Sequence, residues 1–214
     1  MVEAEYMKTY AIGDLHGELK MLEAMLDKLP LTEDDTVVFL GDYIDRGPDA
    51  RGVIDRILQL REEGFKVIAL KGNHEFMYLN YLRGDDDDGL FLVNGGRTTI
   101  RSYRTLWNRN GYPPAAHLEF LESLPLFHET ENDFFVHAGA RPCVALDDQA
   151  EEDLLWIRSD FLHCSFDFGK RIIFGHTPHR EPLVQPDKIG IDTGATYGGK
   201  LTCLCLPDEI LYSV

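Results

Sequence analysis

Along the first 75 residues, short apolar runs alternate with stripes of helical period. Lys8-Thr9-Tyr10-Ala11-Ile12, Thr36 to Leu40 and Lys66 to Leu70 are brief and rich in β-branched or aromatic residues, the pattern of buried strands. Between the first two, Leu19, Leu22, Met25, Leu26 and Leu29 recur on one helix face within Glu18 to Leu29, and Pro30 ends it. Asp49 to Glu63 repeats the pattern with Val53, Ile54, Ile57, Leu58 and Leu60, and Gly64 closes that helix. The order β-α-β-α-β predicts parallel strands joined by helical crossovers.

From Phe76 to Leu124 the pattern is mainly helical. Asn94-Gly95-Gly96-Arg97 reads as a helix entry, Tyr112-Pro113-Pro114 as a turn, and Ala115 to Leu124 as a short helix. After Leu126 short strands take over: Asp133 to Val136, Arg171 to Phe174, Lys188 to Ile191, Leu201 to Leu206 and Glu209 to Ser213. A polar helical stretch lies around Glu151 to Ile157, and a hairpin at Pro207-Asp208 joins the last two strands. This half predicts a second, more antiparallel sheet. No Pro- or Ser-rich linker divides the chain, so residues 1–214 are expected to form two layers of one domain.

The chemistry sits directly after the strands. Gly13-Asp14-Leu15-His16-Gly17 follows the first, Gly41-Asp42-Tyr43-Ile44-Asp45-Arg46-Gly47 the second and Gly72-Asn73-His74-Glu75 the third. Gly41 and Gly47 let the backbone turn sharply where side chains would obstruct it. Asp14, Asp42 and Asn73 are 28 and 31 residues apart, about one βαβ unit each. In an open parallel sheet the carboxyl ends of the strands share one edge, where ligands bind. That edge gathers Asp14, His16, Asp42, Asp45, Arg46, Asn73 and His74. His137-Ala138-Gly139 and Gly175-His176-Thr177 end two later strands in the same way. A single histidine there would more often be a core or loop residue, and a single charged turn a solvated one. Five such segments, each with a glycine beside Asp, Asn or His, are not accounted for by chance. Carboxylate, imidazole and amide oxygen together suit manganese, iron, zinc or nickel.

Composition narrows the partners. The formal charge of −16 repels nucleic acid and anionic membranes, and no basic run exceeds two residues. An anionic substrate must therefore be held by metals and a few arginines. No apolar run reaches the ~18 residues of a membrane span. The start carries Glu3 and Glu5 and no apolar signal core, and with Cys143, Cys164, Cys203 and Cys205 lacking CxxC spacing, a cytoplasmic protein with reduced packing cysteines is expected. Cys203 and Cys205 should share one strand face. Asp85-Asp86-Asp87-Asp88 reads as a solvated loop, since an EF-hand frame would put Gly84 and Gly95 at ligand positions. Gly194 to Lys200 matches half of a P-loop, but Leu201 stands where Ser or Thr must meet magnesium. His117, His128, His163 and His179 lack the strand-end glycine context and read as structural or surface residues.

The five ordered motifs from Gly13 to Thr177 resemble the metallophosphoesterases of the phosphoprotein phosphatase family. Leu154-Leu155-Trp156-Ile157-Arg158 and Ile191-Asp192-Thr193-Gly194 are similar to its short bacterial serine/threonine phosphatase branch. The resemblance implies an α/β fold of calcineurin-like type, a two-sheet β-sandwich flanked by helices (α/β/β/α). It implies two divalent metal ions, manganese first: Asp14 and His16 on one, Asn73, His137 and His176 on the other, and Asp42 bridging. A hydroxide shared by two such ions would attack phosphorus in line. His74 would protonate the leaving oxygen, Asp45 would orient His74, and Arg46 and Arg158 would clamp the phosphoryl oxygens. Arg141 and Arg97 compete with Arg158 for the second clamp.

The resemblance thus implies a phosphatase acting on phosphoserine and phosphothreonine in proteins, extending to phosphotyrosine, or on small phosphoesters. The alternative enzyme is a symmetrical diadenosine tetraphosphate hydrolase, which shares the metal motifs. The alternative outside catalysis is a metal-stabilised phosphate-binding module, which the presence of His74 disfavours. Neither a nucleic-acid nor a membrane partner is expected, and the oligomeric state is left open.

Overall fold

The computed structural model describes residues 7–86, 88–105 and 108–214; Glu3, Glu5 and Asp87 lie outside them. β1 (Thr9–Ile12), β2 (Thr36–Phe39) and β3 (Lys66–Ala69) run parallel, joined by α1 (Leu19–Lys28) and α2 (Ala50–Glu62) as the periodicity predicts. The Asp49 carboxylate accepts Gly52 N–H at 2.9 Å and caps α2. After β3 come α3 (Asn73–Arg83), a helical segment over Leu92–Gly96 kinked at Gly95, α4 (Arg97–Tyr103) and α5 (Ala115–Glu122). Asp86 of the acidic loop is more than solvated: its carboxylate accepts the Leu90 and Phe91 amides at 2.8 and 3.3 Å.

The second sheet differs from expectation. Its centre is parallel, β5 (Asp133–Val136), β6 (Arg171–Phe174) and β8 (Lys188–Gly190), with β4 (Phe127–Glu129) and β7 (Leu183–Val184) antiparallel at its edges. α6 (Glu151–Trp156) and α7 (Ser159–Leu162) lie between β5 and β6 in the chain. The C-terminal hairpin, β9 (Thr202–Leu206) and β10 (Ile210–Ser213), joins the first sheet instead, β9 pairing antiparallel to β1 with Tyr10 opposite Cys205. The sheets read β10-β9-β1-β2-β3 and β4-β5-β6-β8-β7.

Strand residues alternate between three apolar layers, as a period of two requires. Tyr10, Ile12, Val37, Phe39, Cys203 and Cys205 face α1, α2, α3 and α5. Ala11, Val38, Leu204, Phe135, Ile173 and Ile189 fill the space between the sheets. Phe134, Val136, Ile172 and Phe174 face Leu154 of α6 and Phe161 of α7. The result is the α/β/β/α sandwich. The two strand cysteines do share one buried face, whereas Cys143 is exposed and is not a packing residue. No helix among the described residues is long and apolar enough to cross a membrane.

Phe135 is fully buried between the sheets, and it stacks only with His128 at 5.8 Å among ring contacts of the described residues. Phe135→Ala should cost about 3–5 kcal/mol in chemical denaturation, the range for an aromatic removed from a packed core. A loss below about 1 kcal/mol would mean that the sheets are not held by this layer.

Candidate active site

Six parallel strands from two sheets end at one place. Asp14, Asp42 and Asn73 follow β1, β2 and β3, and His137, His176 and Asp192 follow β5, β6 and β8. All six are buried. The sheets meet through them: His137 Nε2 lies 2.9 Å from Asn73 Oδ1, and the His176 amide donates to both Asp14 carboxylate oxygens at 3.1 Å.

Leaving a strand edge this tightly needs unusual backbone. His16, Asp42, Asp45, Arg46 and His176 all have φ between 44° and 69°, a region that costs a non-glycine residue free energy and persists where neighbours hold it. The motif glycines serve this packing in two ways. Gly41 is left-handed (φ 101°), and a Cβ there would also meet the Gly72 nitrogen at 2.7 Å. Gly47 has an ordinary φ, contrary to the turning role its sequence suggests; a Cβ there would meet the His16 carbonyl at 2.0 Å, so it is needed for room.

The protonation of the donors suits them to a cation. His16 and His137 donate Nδ1–H to the carbonyls of Ile44 (2.9 Å) and Leu40 (2.8 Å), which leaves each Nε2 lone pair facing inward. Burial pushes both imidazoles down to a pKa of about 3, so they are neutral at pH 7. The His137 Nε2 lone pair then faces Asn73 Oδ1 at 2.9 Å and Asp42 Oδ1 at 3.4 Å, acceptor against acceptor. Asn73 Oδ1 also lies 3.0 Å from His176 Nδ1. Asp42 Oδ2 turns the other way, 3.4 Å from His16 Nε2 and 3.9 Å from His74 Nε2. Asp42 thus belongs to two groups that could hold a metal ion, one with His16 and His74 and one with His137 and His176. A bridging carboxylate with imidazole and amide oxygen fits intermediate divalent cations. Asp14 stands outside both groups, against the His176 amide. Burial raises its pKa, and Asp192 and Asp42 raise it further, so it too favours a nearby cation.

Asp45 and His74 form a second cluster. His74 Nδ1 lies 2.6 Å from Asp45 Oδ2, and neither side chain is more than 1% exposed. Asp45 Oδ1 accepts the Thr99 hydroxyl. Burial raises the Asp45 pKa, and the Thr99 hydrogen bond is the largest influence holding it down. Glu75, fully buried, accepts the amides of Asp42, Tyr43 and Gly72 at 2.9, 2.8 and 3.0 Å. It locks the Asp42 loop to the start of α3, and burial raises its pKa to about 7. Its place three residues after Gly72 is the sequence signature of a capping glutamate. Asp192 lies in the Ile191 to Gly194 motif but was not singled out as a site residue, and Thr99 has no comparable local signal.

Among the arginines, Arg46 is half-buried, with its guanidinium against His16 Nε2 and 5.4 Å from the Tyr197 ring. Its charge lowers the pKa of Asp14, Asp42, Asp45 and Asp192 against the larger effect of burial. Arg158 donates Nε–H to His176 Nε2 at 3.1 Å. Arg141 is tied to Asp153 and Asp160, while Arg158, exposed like Arg97, reaches His176, so Arg158 is the better placed second guanidinium. His117 is structural, between Tyr103 and Asp55, and the loop at Gly194 to Lys200 leads into β9 rather than a helix. Beside the site opens a cleft of about 670 Å³ lined by Phe76, Leu90, Asn94, Glu151, Leu155 and Trp156.

The model of the calcineurin-like phosphoesterase family matches residues 7–201. The serine/threonine-protein phosphatase 1 of Salmonella typhimurium is 31% identical, over 94% of this chain and 93% of its own length. The asymmetrical bis(5'-nucleosyl)-tetraphosphatase PrpE of Oceanobacillus iheyensis is 30% identical, over 97% and 92%. Among solved structures, a candidate diadenosine tetraphosphatase superposes with a TM-score of 0.75 at 23% identity, covering 99% of this chain and 94% of that one. A protein serine/threonine phosphatase from Saccharomyces cerevisiae gives 0.67 at 16%, covering 99% and 81%. At those identities the superpositions speak for the fold alone. The family match over most of the chain, and relatives aligned along nearly their whole length, carry the conclusion that the chain belongs to the calcineurin-like phosphoesterase family.

Proposed function

We propose that the chain is a manganese-dependent phosphomonoesterase that removes phosphate from serine and threonine in proteins, working as one catalytic domain. Asp14, His16 and Asp42 would hold one ion, and Asp42, Asn73, His137 and His176 the other. When bound, the pair supplies Lewis acidity and brings the pKa of water toward neutrality. His74 would act from Nε2 as the imidazolium, a form that burial disfavours and that the Asp45 carboxylate on its Nδ1–H would support. Arg46 and Arg158 receive the phosphoryl oxygens, for which a planar fork of donors is suited.

The observation that carries the substrate class is charge. Two guanidiniums, Arg46 and Arg158, face the site, and the adjoining cleft carries the exposed carboxylates Glu151 and Glu152. That supply matches a phosphoryl dianion on a neutral or basic carrier better than a tetraphosphate bridge. The Salmonella relative supports this reading. Dinucleoside tetraphosphate hydrolysis is the second reading, favoured by the PrpE relatives and by the aromatic cleft wall, Phe76 and Trp156, on which a base could stack. Those relatives are named asymmetrical, so the products, monophosphate plus triphosphate or two diphosphates, would tell that cleavage from the symmetrical one.

With manganese, a phosphoserine peptide and para-nitrophenyl phosphate should be turned over faster than diadenosine tetraphosphate; hydrolysis of the dinucleotide alone would reverse the ranking. His74→Asn should lower the rate about 10²–10⁴-fold while metal analysis still finds two ions. Asp42→Asn should empty or disorder both positions. Manganese at about a hundred times its Kd should stabilise the parent protein by ~2.7 kcal/mol and leave Asp42→Asn unmoved in thermal unfolding.

A further inference from the structure

The segment before and within α4 touches the catalytic loop at two consecutive residues. A kink at Gly95 (φ 108°), just before α4, sets this residue against Arg46, where a Cβ would meet Arg46 Cγ at 2.9 Å and its nitrogen at 3.0 Å. One turn later, Thr99 is fully buried and commits both its hydrogen-bonding roles to Asp45. Its Oγ1 donates to Asp45 Oδ1 at 2.5 Å and accepts Asp45 N–H at 2.8 Å. Asp45 and Arg46 are both left-handed, with φ of 69° and 66°. Free of such contacts, an Asp in that region would turn its carboxylate to water or to its own amides.

We propose that Thr99 is a positioning residue for proton delivery. By occupying Asp45 Oδ1 and the Asp45 amide, it leaves Oδ2 aimed at His74 Nδ1, which fixes the imidazole ring with Nε2 turned to the leaving oxygen. This rests on the reading of His74 as general acid. In that step the P–O ester bond breaks with its electron pair on the leaving oxygen, which takes the Nε2 proton. The oxygen of water forms the new bond to phosphorus, and one water proton restores His74. A phenolate leaves without that proton, whereas the alkoxide of serine does not. Loss of positioning should therefore be felt by the alkyl ester.

The test compares para-nitrophenyl phosphate with a phosphoserine peptide on manganese-loaded parent, Thr99→Val, Thr99→Ser and His74→Asn proteins. Thr99→Val should lower kcat on the peptide about 10–100-fold, the range for a residue that orients an active-site ligand. On the nitrophenyl ester the loss should stay under about threefold, with KM and metal content unchanged. Thr99→Ser keeps the hydroxyl and should restore the peptide rate. Should Thr99→Val not fold, Thr99→Ala is read by the same ratio of substrates. Equal losses on both substrates, or no recovery with serine, while His74→Asn discriminates between them, would reduce Thr99 to a packing residue. If His74→Asn itself showed no discrimination, the general-acid reading would fall, and the role of Thr99 with it.

Discussion

Everything at the centre follows from confining like charges in a space with little water. Asp14, Asp42, Asp45, Glu75 and Asp192 are all nearly or fully buried, within a group that also contains four imidazoles. Burial alone disfavours every one of these carboxylates as an anion. The fold opposes this with directed donors: three backbone amides on Glu75, the His176 amide on Asp14, the Gly194 amide on Asp192 and the Thr99 hydroxyl on Asp45. One guanidinium, Arg46, is the only cation whose field reaches four of the acids among the described residues. Even with Arg158 acting on Asp192, two guanidiniums are a poor match for that many carboxylates, and two divalent cations would correct the imbalance.

The same constraint explains the backbone. A donor can reach a buried carboxylate only if the chain turns back within a residue or two of the strand end, which brings five non-glycine residues into the left-handed region. It also forces adjacent strand ends into near contact. A Cβ on Gly175 would sit 2.1 Å from Asp14 Oδ1, and one on Gly72 2.2 Å from Asp42 Oδ1. Glycine beside each ligand candidate is therefore a matter of space at least as often as of torsion.

Much of this was legible in the sequence because it is repeated locally. A run of apolar residues followed by glycine and a polar side chain occurs at each strand end, and the spacing of Asp14, Asp42 and Asn73 follows from the length of a βαβ unit. The placement of β9 was not legible. Its residues are buried on both faces, so Thr202 to Leu206 carries no alternation that would assign it to one sheet or the other. Thr99 escaped for a different reason: it acts across 54 positions, and a buried threonine in a helix has no local mark of its partner. Glu75 lay between these cases, since its position in α3 marks a helix start but not that it also binds the Asp42 and Tyr43 amides. Asp14 was read as a ligand from its strand-end position, yet its carboxylate faces the His176 amide, a contact made across 162 residues.

Under the proposed function, the insertion between β3 and β4 would link recognition to proton transfer. Phe76, Leu90 and Asn94 line the cleft where a substrate's carrier would rest. The residue after Asn94 lies on Arg46, and Thr99, one turn of helix further, holds Asp45. α4 also packs on α2, with Ser102 accepting the Arg51 amide, so the chain that lines the cleft and the chain that holds Asp45 are continuous. A substitution at Leu90 or Asn94 made to alter specificity would thus bear on the orientation of His74 as well.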